Sequence, residues 1–92
     1  MNLLKNAPGG TPGQILGIRP EHLDMGSSGW AVTVETVELL GAERLIYGRL
    51  NDEQIIVRVE EGMPAPAPDT VIHVQPRTGR LHAFDATTGK RL

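Results

Sequence analysis

The clearest pattern of hydrophobic and polar positions lies in residues 31–40. Val32 and Val34 alternate with polar neighbours on one face of an extended strand, whereas Val37 and Leu39 fall on the opposite face. A change of phase within one strand predicts a β-bulge, which lets a long strand bend and serve two sides of a small barrel. This strand is therefore the strongest single indication of the fold.

A hairpin is predicted directly after it. Residues 43–50 and 54–59 alternate apolar and polar positions, and the short polar segment between them suits a tight connection. Shorter strands are predicted at residues 14–18, 70–75 and 80–84. The only helical signal is a single turn from Pro20 to Leu23, because proline suits the first position of such a turn and keeps Arg19 extended.

Glycine and proline divide the chain. Residues 7–13 contain two prolines and three glycines, and residues 60–69 contain three prolines and one glycine, so regular structure is not expected in either stretch. We assign residues 1–14 to a flexible N-terminal linker and residues 15–92 to the folded domain. Six short strands without alternating helices predict an all-β fold, an OB-like barrel of five to six strands.

Composition narrows the function. The net charge is −2 and there is no basic surplus, while the single Trp, Tyr and Phe are needed inside, so we expect no nucleic-acid binding. Without cysteine the chain has neither disulfides nor thiolate metal sites. No apolar run approaches the ~20 residues of a membrane helix, so we expect a cytosolic domain without direct membrane insertion. The small aliphatic core favours association with another surface, and a second chain could complete the barrel.

Side chains capable of chemistry are dispersed. His22, His73 and His82 show no metal-ligand spacing, and we predict no metal site. The segment 87–90 superficially resembles a phosphate-binding loop. The Walker pattern, however, would require glycine at position 84, a hydroxyl residue at position 91 and a following helix. The carboxylates are scattered and the two serines lie in a plain loop, so we predict no catalytic residues.

The most distinctive motif is Gly17-Ile18-Arg19-Pro20-Glu21-His22. It has a local structural interpretation, because Ile18 is expected to pack inward, Pro20 to open the turn and Glu21 to accept backbone N–H groups. Arg19 is expected to pair with a carboxylate. Contacts to a ligand or partner remain open for four residues: Arg19, Ser27, Ser28 and Glu38.

At residues 16–23 the chain resembles a known family, the transport-associated OB (TOBE) domain that ends the ATP-binding subunits of maltose- and glycerol-3-phosphate-type ABC importers. The resemblance continues at residues 34–42 and recurs at 81–85 and 88–92, in the family's order. It covers residues 16–92, and residues 35–42 look closer to the sn-glycerol-3-phosphate subgroup.

The resemblance implies a non-catalytic regulatory and dimerisation domain. ATP and Mg²⁺ would be bound by the family's nucleotide-binding domain, because this chain contains no Walker A, signature or Walker B motif, and no cofactor is expected here. Implied partners are that domain, the permease subunits and a second copy. The implied location is cytoplasmic, peripheral on the inner face of the plasma membrane.

One departure from the family affects the expected assembly. Residues 1–4 look like a family segment that several strands normally separate from the motif at 17–22, whereas only residues 5–14 intervene here. Missing strands would leave open sheet edges, so we predict a homodimer, with strand exchange as one route. A stand-alone domain that binds a small ligand or oxyanion is the alternative function, with Arg19, Ser27 and Ser28 as its candidate donors.

Overall fold

The computed structural model describes residues 1–62 and 65–92. The elements are β1 (Asn2–Leu4), β2 (Gln14–Ile18), a 3-10 turn (Pro20–His22), β3 (Leu23–Gly26), β4 (Trp30–Leu40), β5 (Glu43–Leu50), β6 (Glu53–Glu60), β7 (Val71–Pro76) and β8 (His82–Asp85). They form a three-stranded sheet in the order β1-β2-β8 and a five-stranded sheet in the order β3-β7-β4-β5-β6. The all-β, OB-like prediction is confirmed, and the structure adds two short strands, β1 and β3, to the six expected.

The bulge predicted in β4 is confirmed. The register of β4 against β5 shifts between Val34 and Thr36, where the phase of the apolar positions changes. Before the bulge β4 also pairs with β7, from Trp30 to Thr33, and beyond it β4 continues along β5 to Leu40. The bulge therefore separates the part of β4 that pairs with both β5 and β7 from the part that pairs with β5 alone.

Aliphatic side chains from both sheets meet in one core. Because paired strands place alternate residues on opposite faces, each strand contributes every second side chain. The buried apolar residues are Leu4, Ala7, Ile18, Leu23, Val32, Val34, Ile46, Leu50, Ile55, Val57, Val59, Ile72 and Val74. Trp30 is only partly buried and packs against the edge of this core. Most of the burial energy therefore comes from small aliphatic groups, at about 25 cal/mol per Å² of apolar surface.

The N-terminal segment departs from the linker prediction. Asn2–Leu4 forms β1, which pairs antiparallel with the C-terminal half of β2, and the Leu4 side chain is completely buried. The side-chain amide of Asn2 donates to the carbonyl of Ile56 at 2.8 Å and accepts the Ile56 N–H at 2.9 Å. The assignment of residues 1–14 as flexible is thus corrected at its beginning, since an apolar start precedes the glycine- and proline-rich part.

Strand β3 was missed for a different reason. Only Leu23 and Met25 are apolar in Leu23–Gly26, and a glycine ends it, so its local preference for a strand is weak. Pairing with β7 supplies the extended structure. Of the loop predicted at 60–69, residues 63 and 64 lie outside the described residues. In the part of the chain that the structure describes, no helix is long and apolar enough to cross a membrane.

Candidate functional site

An open groove of about 430 Å³ lies between the 3-10 turn with β3 on one side and the ends of β5 and β6 on the other. Its floor is apolar, with Leu23, Met25 and Val59. Its walls are charged, and the side chains that matter below are Glu21, Asp24, Glu43, Arg58 and Arg77. Of these five, only Glu21 belongs to the distinctive sequence motif.

Both arginines of the groove are already paired. Arg77 Nη2 donates to Asp24 Oδ1 at 2.8 Å, and Arg58 Nε lies 2.7 Å from Glu43 Oε2. These side chains are about half exposed and screened by solvent, so the ion pairs add little to stability. The pairing bears on binding, however, because it leaves the groove no spare guanidinium for an incoming anion.

Two of the groove carboxylates, Asp24 and Glu21, have a lowered pKa and keep their charge to lower pH than usual. The hydrogen bond from Arg77 lowers the pKa of Asp24, and the positive charge of Arg77 acts in the same direction. A hydrogen bond from its own backbone N–H lowers the pKa of Glu21, assisted by the charges of His22 and Arg19. Both carboxylates are therefore negatively charged at neutral pH.

The residues of the distinctive motif form one continuous corner. Gly17 and Ile18 end β2, Arg19 is extended (φ −75°, ψ 144°), and Pro20 opens the 3-10 turn. Ile18 is fully buried and Glu21 accepts a backbone N–H, as the sequence suggested. Arg19 forms no ion pair among the described residues, so its predicted carboxylate partner is not found. The last motif residue, His22, lies in the groove wall.

The remaining candidate contact residues do not converge. Ser27 and Ser28 lie in the loop between β3 and β4, where Ser28 Oγ accepts a hydrogen bond from Gln75 Nε2 at 3.1 Å. Glu38 lies beyond the bulge, near the other end of β4, paired with Leu45. Most of β4, including its bulge, lies between Ser28 and Glu38. Their roles as ligand or partner contacts stay predictions, and the structure does not bring the two together.

The segment that resembled a phosphate-binding loop is a closed turn after β8. The Asp85 carboxylate accepts the N–H groups of Thr87 and Thr88 at 2.8 and 2.9 Å. These two hydrogen bonds lower the pKa of Asp85. The N–H groups that a phosphate would need are therefore engaged by a carboxylate, and the turn does not fit a nucleotide. Among the described residues, no group of three or more His, Asp or Glu could hold a metal ion.

We expect the stability of the domain to fall in acid below about pH 4. The folded-state pKa of Asp85 lies below the ordinary value of 3.8, so its carboxylate stabilises the fold above that value. This contribution is lost as the pH falls through the folded-state pKa. Asp85→Asn keeps a side-chain acceptor but cannot titrate, so its urea midpoint should change less between pH 5 and pH 2.5 than that of the unaltered protein. Equal changes in the two proteins would contradict this role.

Three contacts described here were not predicted from the sequence. The pair of Arg58 and Glu43 is a diagonal contact across the predicted β5–β6 hairpin, so the hairpin register could have indicated it. The pair of Arg77 and Asp24 depends on β3, which has almost no signal of its own. The contact of Asn2 with Ile56 could not be predicted from the sequence, because it forms only where β1 lies against the edge of β6.

The chain is similar to a known domain family and to several curated proteins. The model for the TOBE domain matches residues 16–84. The sn-glycerol-3-phosphate import ATP-binding protein UgpC of Salmonella typhi is 38% identical over 80 residues, covering 84% of this chain and 22% of the relative. UgpC of Bordetella pertussis is 35% identical over 82 residues, covering 85% and 23%, and UgpC of Chromobacterium violaceum is 37% identical over 79 residues, covering 83% and 21%.

The chain thus spans about a fifth of the length of the curated relatives it matches. In this chain, the residues matched by the family model include both the corner at residues 17–22 and the groove beside it. Three quarters of the chain match, on an all-β fold of two sheets. The chain belongs to the TOBE domain family.

Proposed function

We propose that this chain is the regulatory domain of an ABC-importer ATP-binding subunit and performs no catalysis itself. The observation that carries the proposal is the extent of the similarity, which covers most of this chain and only about a fifth of ATP-binding proteins. The chemistry of the described residues agrees with this role, since the turn at Asp85 is closed to phosphate and the groove arginines are neutralised. ATP and Mg²⁺ would be bound by the rest of the subunit.

The cargo of the whole importer would be sn-glycerol 3-phosphate, the solute named for the relatives. The domain would work in the cytoplasm, held at the inner face of the plasma membrane by the nucleotide-binding domain and the permease subunits. Oxyanion binding by the domain itself is not favoured, because the groove arginines are paired with carboxylates and Arg19, which forms no ion pair among the described residues, is one donor where an oxyanion site needs several.

A chimera tests this role. The 80 aligned residues of the Salmonella typhi relative would be replaced by the matching residues of this chain, in a strain that lacks the native subunit. We expect restored import of sn-glycerol 3-phosphate and ATP hydrolysis comparable with that of the native subunit. As a matched control, the native 80 residues would be reinserted through the same junctions. A folded chimera that hydrolyses ATP without any import would contradict the proposal.

We also propose that two copies associate, with exchange of β1 as the route. Asn2, Lys5 and Asn6 reach β6 through four hydrogen bonds to Ile56 and Glu53, all of which an identical strand from a second copy could form. Residues 5–13 connect β1 to β2 and supply the hinge. No new contact type is needed for the exchange.

Light scattering should therefore give a dimer at high micromolar concentration. Asn2→Leu removes the same two hydrogen bonds from the closed monomer and from the exchanged dimer, so it should leave the monomer–dimer equilibrium nearly unchanged, and a large shift would contradict exchange of β1. Asn6→Leu is a matched control, because the described bonds of Asn6 come from its backbone. If the unaltered protein stays monomeric at this concentration, the proposed dimer is refuted. The proposed role in the importer would be unaffected, because the chimera tests it separately.

A further inference from the structure

The outer face of the three-stranded sheet carries exposed apolar side chains. Leu3, Gly17 and His82 lie in one row across the sheet, and Ile15 is paired with Phe84 in the next. Since the alternate residues Leu4 and Ile18 are buried, these rows face away from the core. Leu3 is 59% exposed and the neighbouring Met1 is 58% exposed. We call Met1, Leu3, Ile15, Gly17, His82 and Phe84 the outer face.

Gly17 shapes the centre of this face. A Cβ at Gly17 would lie 2.7 Å from Met1 Sδ and 2.8 Å from Phe84 Cε2, so these two side chains occupy the space above the glycine. Leu3 is also within van der Waals distance of the same point, at 3.5 Å. Three apolar side chains, from β1, from the residue before it and from β8, thus converge over one residue and form a continuous patch.

Basic side chains border this patch, and one of them, Arg19, lies close enough to Glu21 for their charges to interact. Arg91 forms a bridge with Phe84, and its Nη2 lies 2.8 Å from His82 Nδ1. Arg19 continues the alternation of β2 in an extended conformation, on the side opposite the buried Ile18. The only carboxylate in the three strands, Asp85, alternates with Phe84 and is engaged by the turn that follows. None of the six residues of the outer face is acidic, in a chain of net charge −2.

We propose that the outer face binds a partner protein through an apolar surface bordered by carboxylates. Charge complementarity selects this occupant, because Arg19 and Arg91 would meet like charges on a second copy of the same face. The apolar centre supplies contact area, and the two arginines orient the partner. A lipid bilayer is a poorer fit, since the face is a sheet with only two side chains more than half exposed in its apolar part. This interaction goes beyond the proposed role in the importer and does not depend on it.

The probe is an acetylated eight-residue peptide of alternating leucine and glutamate, titrated into the isotopically labelled chain and followed by amide chemical shifts. Shifts should be confined to β1, β2 and β8, and should weaken as salt rises from 50 to 300 mM. Leu3→Glu or Arg91→Glu should weaken binding about tenfold. Val71→Glu is the matched control, because Val71 is 55% exposed on the other sheet, and it should bind normally.

Four outcomes would overturn the proposal. These are no shifts at millimolar peptide, shifts centred outside the three strands, equal binding of a leucine–lysine peptide, or equal loss in the Val71 control. Preferential binding to anionic phosphatidylglycerol vesicles would identify a lipid surface as the occupant instead. Amide spectra of each variant show whether it is folded, and Gly17→Ala, which displaces only the ends of two side chains, provides a second test of the same face.

Discussion

Gly48→Ala should destabilise the domain by about 3 kcal/mol, the cost of overpacking a site that cannot relax. Gly48 is buried in β5, between Val34 of β4 and Ile55 of β6. A Cβ there would lie 2.6 Å from the carbonyl oxygen of Thr33 and 2.6 Å from Val32 Cγ1. A carbonyl in a paired strand cannot move aside as a flexible side chain can, so β4 and β5 would have to separate next to the bulge. The effect is a large share of the ~5–14 kcal/mol expected for a domain of this length.

Urea unfolding followed by Trp30 fluorescence measures this loss, and the melting temperature should fall by roughly 10–20 °C. Gly26→Ala is the matched control, because the added Cβ would meet no atom within 4 Å. We expect the control to change stability by less than about 0.5 kcal/mol. Equal stability of the two variants would show that β4 and β5 can separate at Gly48 without cost.

Asn2→Leu should cost about 2–3 kcal/mol, although leucine has nearly the same size as asparagine. Asn2 is only 6% exposed, and its amide serves both the N–H and the carbonyl of Ile56. Leucine would bury more apolar surface but leave these two backbone groups without partners at the edge of β6. The penalty for unpaired backbone groups exceeds the gain from one additional apolar contact.

Urea unfolding at a protein concentration low enough to keep the chain monomeric isolates this effect from association. Asn6→Leu makes the same chemical change in the same segment and should be nearly neutral, because only the backbone of Asn6 makes described bonds. If both variants lost the same stability, the cost would come from the added leucine rather than from Ile56.

The parts of the fold that could be predicted are those with their own periodic signal. The bulge in β4 follows from the phase of Val32 and Val34 against Val37 and Leu39, and the hairpin of β5 and β6 follows from alternation on both sides of a polar turn. Strands β1 and β3 have three and four residues, too few for any period to emerge, and only pairing with β2 and β7 makes them strands. Their existence is a tertiary property.

The candidate site follows the same division. The corner at residues 17–22 could be located because proline and the extended residue before it have strong local preferences. The groove could not, because it needs β3 to lie beside the ends of β5 and β6, and Asp24 and Arg77 are 53 residues apart in sequence. The sequence does not show which side of the sheet Arg19 lies on. The burial of Ile18 places Arg19 on the same side as Gly17, because successive residues of an extended chain alternate.

The amide of Asn2 also determines how the domain would respond to mechanical force. Apolar contacts between the two sheets are non-directional, and they resist sliding weakly because one set of contacts replaces another. The two hydrogen bonds from Asn2 to Ile56 are directional and join β1 to the edge of the five-stranded sheet. Tension applied at the N-terminal end would therefore load these bonds before the core. Asn2 would share with the β1–β2 ladder, and with the bonds of Lys5 and Asn6 to Glu53, the force at which β1 detaches, while the five-stranded sheet keeps its own ladder of hydrogen bonds.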